Sequence, residues 1–168
     1  YLLLKWLPIL VAAKGHSAGD GAAAALAFNL VGVVGALTLG AIADRAGVRW
    51  TLATAYVALG GAMWAMGGAS GLPGVLVMAA VAGFTVLGAQ YVLYGVAPGL
   101  YPAQVRSAAA GAAVGVGRFG SILGPLVAGG LRQAGWSAAQ VLGAMVPVAL
   151  DAGGAVIVLT LLVKVDEA

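Results

Sequence analysis

The chain has 168 residues, of which 62% are hydrophobic and 8% are charged, and its formal net charge is +3. Soluble domains carry about 25% charged residues, so this chain lacks the polar material to cover a water-facing globule. The absence of cysteine excludes disulfides and thiolate chemistry, and the scattered basic residues form no patch for nucleic acid. One histidine and five acids leave no basis for a metal site, a cofactor or a catalytic triad. Composition therefore predicts an integral membrane protein that is not an enzyme, with the lipid bilayer as its first partner.

Apolar runs separated by short polar or Gly/Pro-rich breaks divide the chain into six predicted helices. A helix that crosses the hydrocarbon core needs about 20 apolar residues. The first run, 1–13, is shorter, so we expect a truncated first helix. Full spans are predicted at 22–43, 49–67, 72–97, 105–131 and 138–163. None of these segments has a polar face, so lipid is their expected solvent and the predicted fold class is an all-α membrane protein.

The distribution of basic residues predicts how the helices are oriented in the membrane. Cytoplasmic loops carry an excess of Lys and Arg. One side of the predicted bundle carries Arg45, Arg49, Arg106 and Lys164, and the other side carries Lys14 and Arg132. The first side is therefore predicted to be cytoplasmic.

The segment from Gly40 to Arg49, GAIADRAGVR, joins the second and third spans. A loop this tight must reverse the chain direction at once, and Gly47 would supply the backbone freedom. Asp44 ends a helix, where its charge opposes the helix dipole, so we expect a partner such as Arg45, Arg49 or the N-terminus of another helix. From the residues alone, the segment can also be an ordinary basic cytoplasmic turn.

Polar side chains inside the second and fourth spans are candidates for ligand binding. Gln90 and Tyr94 are able to donate hydrogen bonds to a hydroxyl of a ligand, and Tyr91 is able to stack on an aromatic ring. The alternative is interhelical hydrogen bonding, which glutamine often makes in membranes. Asn29 in the second span has the same two interpretations.

Arg118 is a charge near the middle of the fifth span. It follows Arg106 by about 18 Å of helix, which places it near the bilayer midplane, where a charge faces a cavity or a partner. Small residues share its face, which suits close packing beside a pocket: Gly111, Gly115, Ser121, Pro125 and Gly129. The guanidinium fork holds a carboxylate through two parallel hydrogen bonds. Arg118 therefore either binds a substrate carboxylate or pairs structurally with an acid outside this chain.

Two further charges lie inside predicted spans. We interpret Asp151 as structural, either paired with a neighbour or beside a kink at Pro147. Lys5 either faces a cavity or extends its ammonium group to the membrane surface.

These motifs together resemble the aromatic acid:proton symporter family of the major facilitator superfamily. The segment Lys5-Trp-Leu-Pro8 is similar to its seventh helix, although Lys5 replaces a small polar residue. The loop at 40–49 is similar to G-x-x-x-D-R-x-G-R, with Trp50 displacing the second basic residue. Residues 101–125 are similar to Y-P-x-x-x-R followed by G-x-G-R-x-G-x-x-x-G-P in helices ten and eleven. The segment 88–94, GAQYVLY, is most similar to the branch that takes up hydroxyphenylpropionate-type acids.

The resemblance implies that residues 1–168 are helices seven to twelve, the C-terminal half of a twelve-helix bacterial inner-membrane transporter. The implied activity is proton-coupled uptake of an aromatic or related organic acid, with the N-terminal six-helix half of the same protein as partner. The implied substrate-binding residues are Arg118, Gln90, Tyr94, Tyr91 and Asn29, and the implied gating residues are Asp44, Arg45, Arg49 and Arg106. Two alternatives stay open: a related transporter of a sugar, dicarboxylate or drug, and a truncated remnant that does not transport.

Overall fold

The protein is described by a computed structural model that covers residues 2–69 and 71–163. Over these residues the chain forms α1 (Leu2–Ala13), α2 (Ala18–Ala46), α3 (Val48–Gly68), α4 (Leu72–Val96), a short 3-10 helix (Ala97–Leu100), α5 (Arg106–Gln133) and α6 (Ala138–Val163). No strand is present in this part of the chain. The predicted all-α fold of six helices is confirmed.

Four of the described helices are long and apolar enough to cross a membrane: α2, α4 with its 3-10 extension, α5 and α6. The sequence predicts a further full span at 49–67. The corresponding helix, α3, is long enough to cross a membrane, but its mean hydropathy is lower than that of the four. The reason lies in its composition, since Arg49, two threonines and four glycines dilute its apolar residues. α1 is a shorter apolar helix of 12 residues.

Local sequence explains where α2 begins and ends. At its start, the Ser17 backbone N–H donates to the Asp20 carboxylate at 2.9 Å, and the Asp20 backbone N–H donates to Ser17 Oγ at 3.2 Å. This reciprocal pair is a capping box, which satisfies two N–H groups that the helix itself cannot. At its end, Gly47 has φ 85° and ψ 147° and joins α2 directly to α3. The predicted role of Gly47 in the tight reversal is therefore confirmed.

α2 and α4 pack so closely that only glycine fits between them. A Cβ atom added to Gly83 would lie 2.7 Å from Phe28 Cα, and one added to Gly35 would lie 2.7 Å from Phe84 Cα. One added to Gly88 would lie 2.8 Å from the Gly35 carbonyl oxygen, and real Cβ atoms essentially never come within 3.0 Å of another atom. Small residues allow this approach of two helix backbones in a membrane. The α2–α4 pair is the most tightly fixed part of the fold.

α5 differs from the other long helices in being loosely packed. Only Ala128 of α5 is buried. Sequence analysis expected close packing along the small-residue face of Arg118, but a Cβ added at Gly111, Gly115 or Gly129 meets no atom within 4 Å. Within the described residues the close glycine contacts form between α2 and α4, and the predicted packing of the α5 face stays a prediction. The face of α5 that carries Arg118 is left open.

Candidate functional site

A cavity of about 300 Å³ lies between α1, α2, α4 and α5. Pockets for small molecules range from about 300 to 1,000 Å³, so this one fits a small ligand. Its lining contains all five residues that sequence analysis selected for substrate binding. The lining consists of Leu4, Phe28, Asn29, Val86, Leu87, Gln90, Tyr91, Tyr94 and Arg118.

The cavity has a buried apolar wall and an open aromatic side. Phe28 is only 2% exposed, whereas Tyr91 is 57% exposed and Tyr94 is 43% exposed. Residues 86, 87, 90, 91 and 94 face the same cavity because positions three and four apart share one face of a helix. The arrangement provides apolar and aromatic surface for a ring, with polar groups at its edges.

Gln90 and Tyr94 of α4 bond to each other, and neither bonds to another helix among the described residues. Gln90 Nε2 donates a hydrogen bond of 2.7 Å to Tyr94 Oη. The Tyr94 ring packs edge-to-face on the Tyr91 ring, with centroids 6.2 Å apart and an interplanar angle of 84°. Since Tyr94 Oη accepts from Gln90, its own proton is available to a ligand. Gln90 therefore makes no hydrogen bond to another helix among the described residues.

Asn29 also bonds within its own helix. Its Nδ2 donates to the Ala25 carbonyl oxygen at 2.7 Å. Its Oδ1 has no hydrogen-bond donor among residues 2–69 and 71–163. This oxygen is available to accept from a ligand hydroxyl.

Arg118 brings the positive charge to the cavity. Its guanidinium group makes no hydrogen bond or ion pair with any residue that the structure describes. Its backbone carbonyl accepts from Ser121 Oγ at 2.6 Å, which fixes the local helix but leaves the side chain free. A charge at membrane depth is costly without a partner. The Arg118 side chain is exposed on the open face of α5, so it is accessible to an anionic group.

The predicted gating residues lie at the end of the bundle where α2 and α4 both terminate. Arg49 lies over the Trp50 ring, 5.4 Å from its centroid, and Arg106 Nε donates a long hydrogen bond of 3.5 Å to the Tyr101 carbonyl. Asp44 makes no ion pair with Arg45, Arg49 or any other described residue, so neither arginine is the partner; the N-terminus of another helix is the remaining alternative. Asp44 instead shares a cavity wall with Val48, the first residue of α3.

Lys5 and Asp151 lie outside this cavity. Both are exposed, on α1 and α6 respectively, and neither pairs with a described residue. The expected neighbour for Asp151 is therefore not found in the described part of the chain, and Pro147 lies inside the continuous helix α6 one turn earlier.

The apolar part of the lining was not selected from the sequence. Leu4, Phe28, Val86 and Leu87 form it. Val86 and Leu87 could have been identified as lining residues because they precede Gln90 by four and three positions, on the same face of the helix. Phe28 could have been identified because it is next to Asn29. Nothing in the sequence indicates that Leu4 lines this cavity.

Three curated bacterial transporters are similar to this chain. The 3-(3-hydroxy-phenyl)propionate transporter of Escherichia coli (strain K12) is 35% identical over 159 residues, which cover 95% of this chain and 40% of that protein. The gallate transporter of Pseudomonas putida is 39% identical over 137 residues, which cover 80% of this chain and 30% of that protein. A 4-hydroxybenzoate transporter of Pseudomonas aeruginosa is 33% identical over 167 residues, which cover 99% of this chain and 37% of that protein.

The chain thus spans between 30% and 40% of the length of these relatives. No protein-family description matches the chain, and no solved structure matches it.

Proposed function

Since the chain belongs to the family of these bacterial aromatic acid transporters, we propose that it is one half of a transporter that takes up an aromatic or related organic acid. In this proposal it is the C-terminal, six-helix half of a major facilitator superfamily protein of the inner membrane. One observation carries it: Arg118, without an anionic partner among the described residues, lies on the same cavity as Asn29, Gln90, Tyr91 and Tyr94.

The lining suits a carboxylate attached to a hydroxylated ring. Arg118 would hold the carboxylate through two parallel charge-assisted hydrogen bonds. The ring would pack on Phe28 and the tyrosine rings, and a ring hydroxyl would bond to Tyr94 Oη or Asn29 Oδ1. Hydroxyphenylpropionate, gallate and hydroxybenzoate, for which the three relatives are named, share this chemistry.

The remainder of the proposed site lies in the N-terminal half. Transporters of this type bind substrate between two halves, near the bilayer midplane. The cavity is open on the side of α5, whose face is not packed by described residues. Proton coupling is part of the proposal through the family resemblance, and its proton-carrying groups are expected in the other half, because no acid lines this cavity among the described residues.

The loop containing Asp44, Arg45 and Arg49, together with Arg106, is proposed as the cytoplasmic gating region. These residues lie at one end of the bundle, because α2 and α4 both run toward it and α3 and α5 both start from it. The excess of basic residues at this end supports a cytoplasmic location.

The test is acid binding by the purified complete transporter carrying Arg118→Ala. Arg118→Ala removes two charge-assisted hydrogen bonds, each worth about 1.5–3 kcal/mol, so affinity for 3-(3-hydroxyphenyl)propionate should fall at least about 100-fold. Arg118→Lys should recover little, because a point charge cannot reproduce the two-bond fork.

Arg132→Ala is the matched control. Arg132 is an exposed arginine at the other end of α5, bonded to the Trp136 carbonyl at 3.1 Å and outside the cavity. Unchanged affinity in folded Arg118→Ala protein would show that Arg118 does not bind the substrate. The cavity would then give no reason to expect an anionic substrate.

A further inference from the structure

A second cavity lies closer than the candidate site to the end of the bundle that carries Asp44. Its volume is about 270 Å³, and it lies between α2, α4 and the start of α3. Its walls are mostly small, including Ala36, Gly40 and Gly95, and it ends at Asp44. These small side chains form a groove beside the close α2–α4 contact.

The two cavities lie one after the other along α2. The first contacts α2 at Asn29, and the second runs from Ala36 to Asp44. At 1.5 Å per residue, the distance along the helix from Asn29 to Asp44 is about 22 Å, a large part of the thickness of the membrane core.

Tyr91 is the boundary between the two cavities. Among the residues that the structure describes, it alone belongs to both linings. Its ring is 57% exposed, and its hydroxyl makes no hydrogen bond with a described residue. An aromatic ring without a polar anchor is able to change rotamer.

Tyr94 holds the Tyr91 ring through the edge-to-face contact at 6.2 Å. Tyr94 is held in turn by the hydrogen bond from Gln90. A ligand that forms a hydrogen bond with Gln90 or Tyr94 can replace the bond between them, and so disturb the Tyr94 ring that positions Tyr91. Edge-to-face ring pairs are weak contacts, so the occupancy of the site is able to shift the ring.

We propose that Tyr91 is a gate: its ring separates the substrate site from a passage to the Asp44 side of the membrane, and its rotation joins the two. Tyr94 and Gln90 are the positioning residues that connect the bound ligand to this gate. The inference rests on the proposed transport function, and it adds a residue that controls access from one side.

Cysteine accessibility in the complete transporter tests the gate. The 168-residue chain contains no cysteine, so single cysteines can be placed in a cysteine-free background at Leu87 in the first cavity and at Ala36 in the second. A membrane-impermeant thiosulfonate is added to sealed vesicles of both orientations. The side to be used is the one from which a cysteine at position 47 reacts.

From that side, Leu87→Cys should react slowly in the otherwise unsubstituted protein. Tyr91→Ala should increase its rate about tenfold or more, because the open population rises. Tyr91→Phe, which keeps the ring, should leave the rate slow. Ala36→Cys should react at the same rate in all three backgrounds, because it lies on the near side of the gate.

Equal rates at Leu87→Cys with and without Tyr91→Ala would overturn the proposal. Tyr91→Leu, which keeps an apolar side chain without a ring, repeats the test if Tyr91→Ala does not fold. The labelling experiment needs no substrate, so it can refute the gate while the transport function stands. Absence of acid uptake by the unsubstituted transporter would instead refute the transport function itself.

Discussion

Gly83→Ala is expected to push α2 away from α4 and so distort the candidate site. The new methyl carbon would lie 2.6 Å from the Phe28 carbonyl carbon and 2.7 Å from its Cα. The Phe28 carbonyl oxygen would lie closer still, and ordinary van der Waals contact begins near 3.4 Å, so the two backbones must separate by more than about 1 Å. A flexible side chain cannot absorb this change, because the atoms that Gly83 faces belong to the backbone.

The expected magnitude follows from two opposing effects. Overpacking costs about 1–3 kcal/mol, and replacing glycine by alanine inside a helix recovers up to about 1 kcal/mol. The free energy of unfolding should therefore fall by up to about 2 kcal/mol. The displacement also moves Phe28 and Asn29 relative to Gln90 and Tyr94. Loss of one hydrogen bond to the ligand, about 0.5–1.5 kcal/mol, would weaken binding up to about tenfold.

Thermal unfolding and aromatic acid binding of the purified complete transporter measure both effects. Gly61→Ala is the matched control, because Gly61 lies inside α3 and an added Cβ meets nothing within 4 Å. The control should be as stable as the unsubstituted protein or slightly more stable. If Gly83→Ala matched Gly61→Ala in both Tm and Kd, the close approach of α2 and α4 would not be a determinant of the site.

Three further expectations concern α4 and the loop between α2 and α3. Tyr94→Phe removes the hydroxyl that accepts from Gln90 at 2.7 Å; it should weaken binding of hydroxylated acids up to about tenfold and leave benzoate binding unchanged, as competition binding would measure. Gly47→Ala forces a non-glycine residue into φ 85° and ψ 147°, so it should lower the free energy of unfolding by about 1–3 kcal/mol, whereas Gly40→Ala, with open space at its Cβ, should not. Gly47→Cys should react with an impermeant reagent only from the cytoplasmic side, and strong labelling from outside intact cells would reverse the predicted topology.

Hydropathy predicted the number of helices because a membrane chain has few alternatives to helix. It predicted their ends less well. The second span was placed at 22–43, whereas α2 covers Ala18–Ala46. The helix starts earlier because Ser17 and Asp20 cap it with hydrogen bonds, and it ends later because Asp44, Arg45 and Ala46 stay helical up to the turn at Gly47.

The polar part of the site could be selected from the sequence because polar groups are costly in lipid. Asn29, Gln90 and Arg118 stand out against an apolar background, and all three line one cavity. The apolar part could not be selected in the same way, since nearly every position of these helices is apolar. Phe28 and Leu87 differ from other apolar residues only in where they lie.

The partners of the glycine-rich helices were also hidden in the sequence. α2, α4 and α5 all contain repeated glycines, and sequence analysis expected the close contact along α5. The structure places it between α2 and α4, where Gly83 and Gly35 each face a phenylalanine backbone. A small residue permits a close approach, but the surfaces of both helices decide whether one forms.

In the proposed site, preference for an acid over a neutral compound has to come from Arg118. The other polar lining residues, Asn29, Gln90, Tyr91 and Tyr94, are uncharged, and their hydrogen bonds contribute about 0.5–1.5 kcal/mol each to either kind of ligand. Hydrogen bonds to charged groups contribute about 1.5–3 kcal/mol each, so the fork of Arg118 distinguishes a carboxylate from an alcohol more strongly than the rest of the lining. Charge recognition thus lies on the loosely packed α5, and ring recognition lies on the tightly packed α2–α4 pair. The rigid pair fixes the geometry of the aromatic surface, and the open helix supplies the charge.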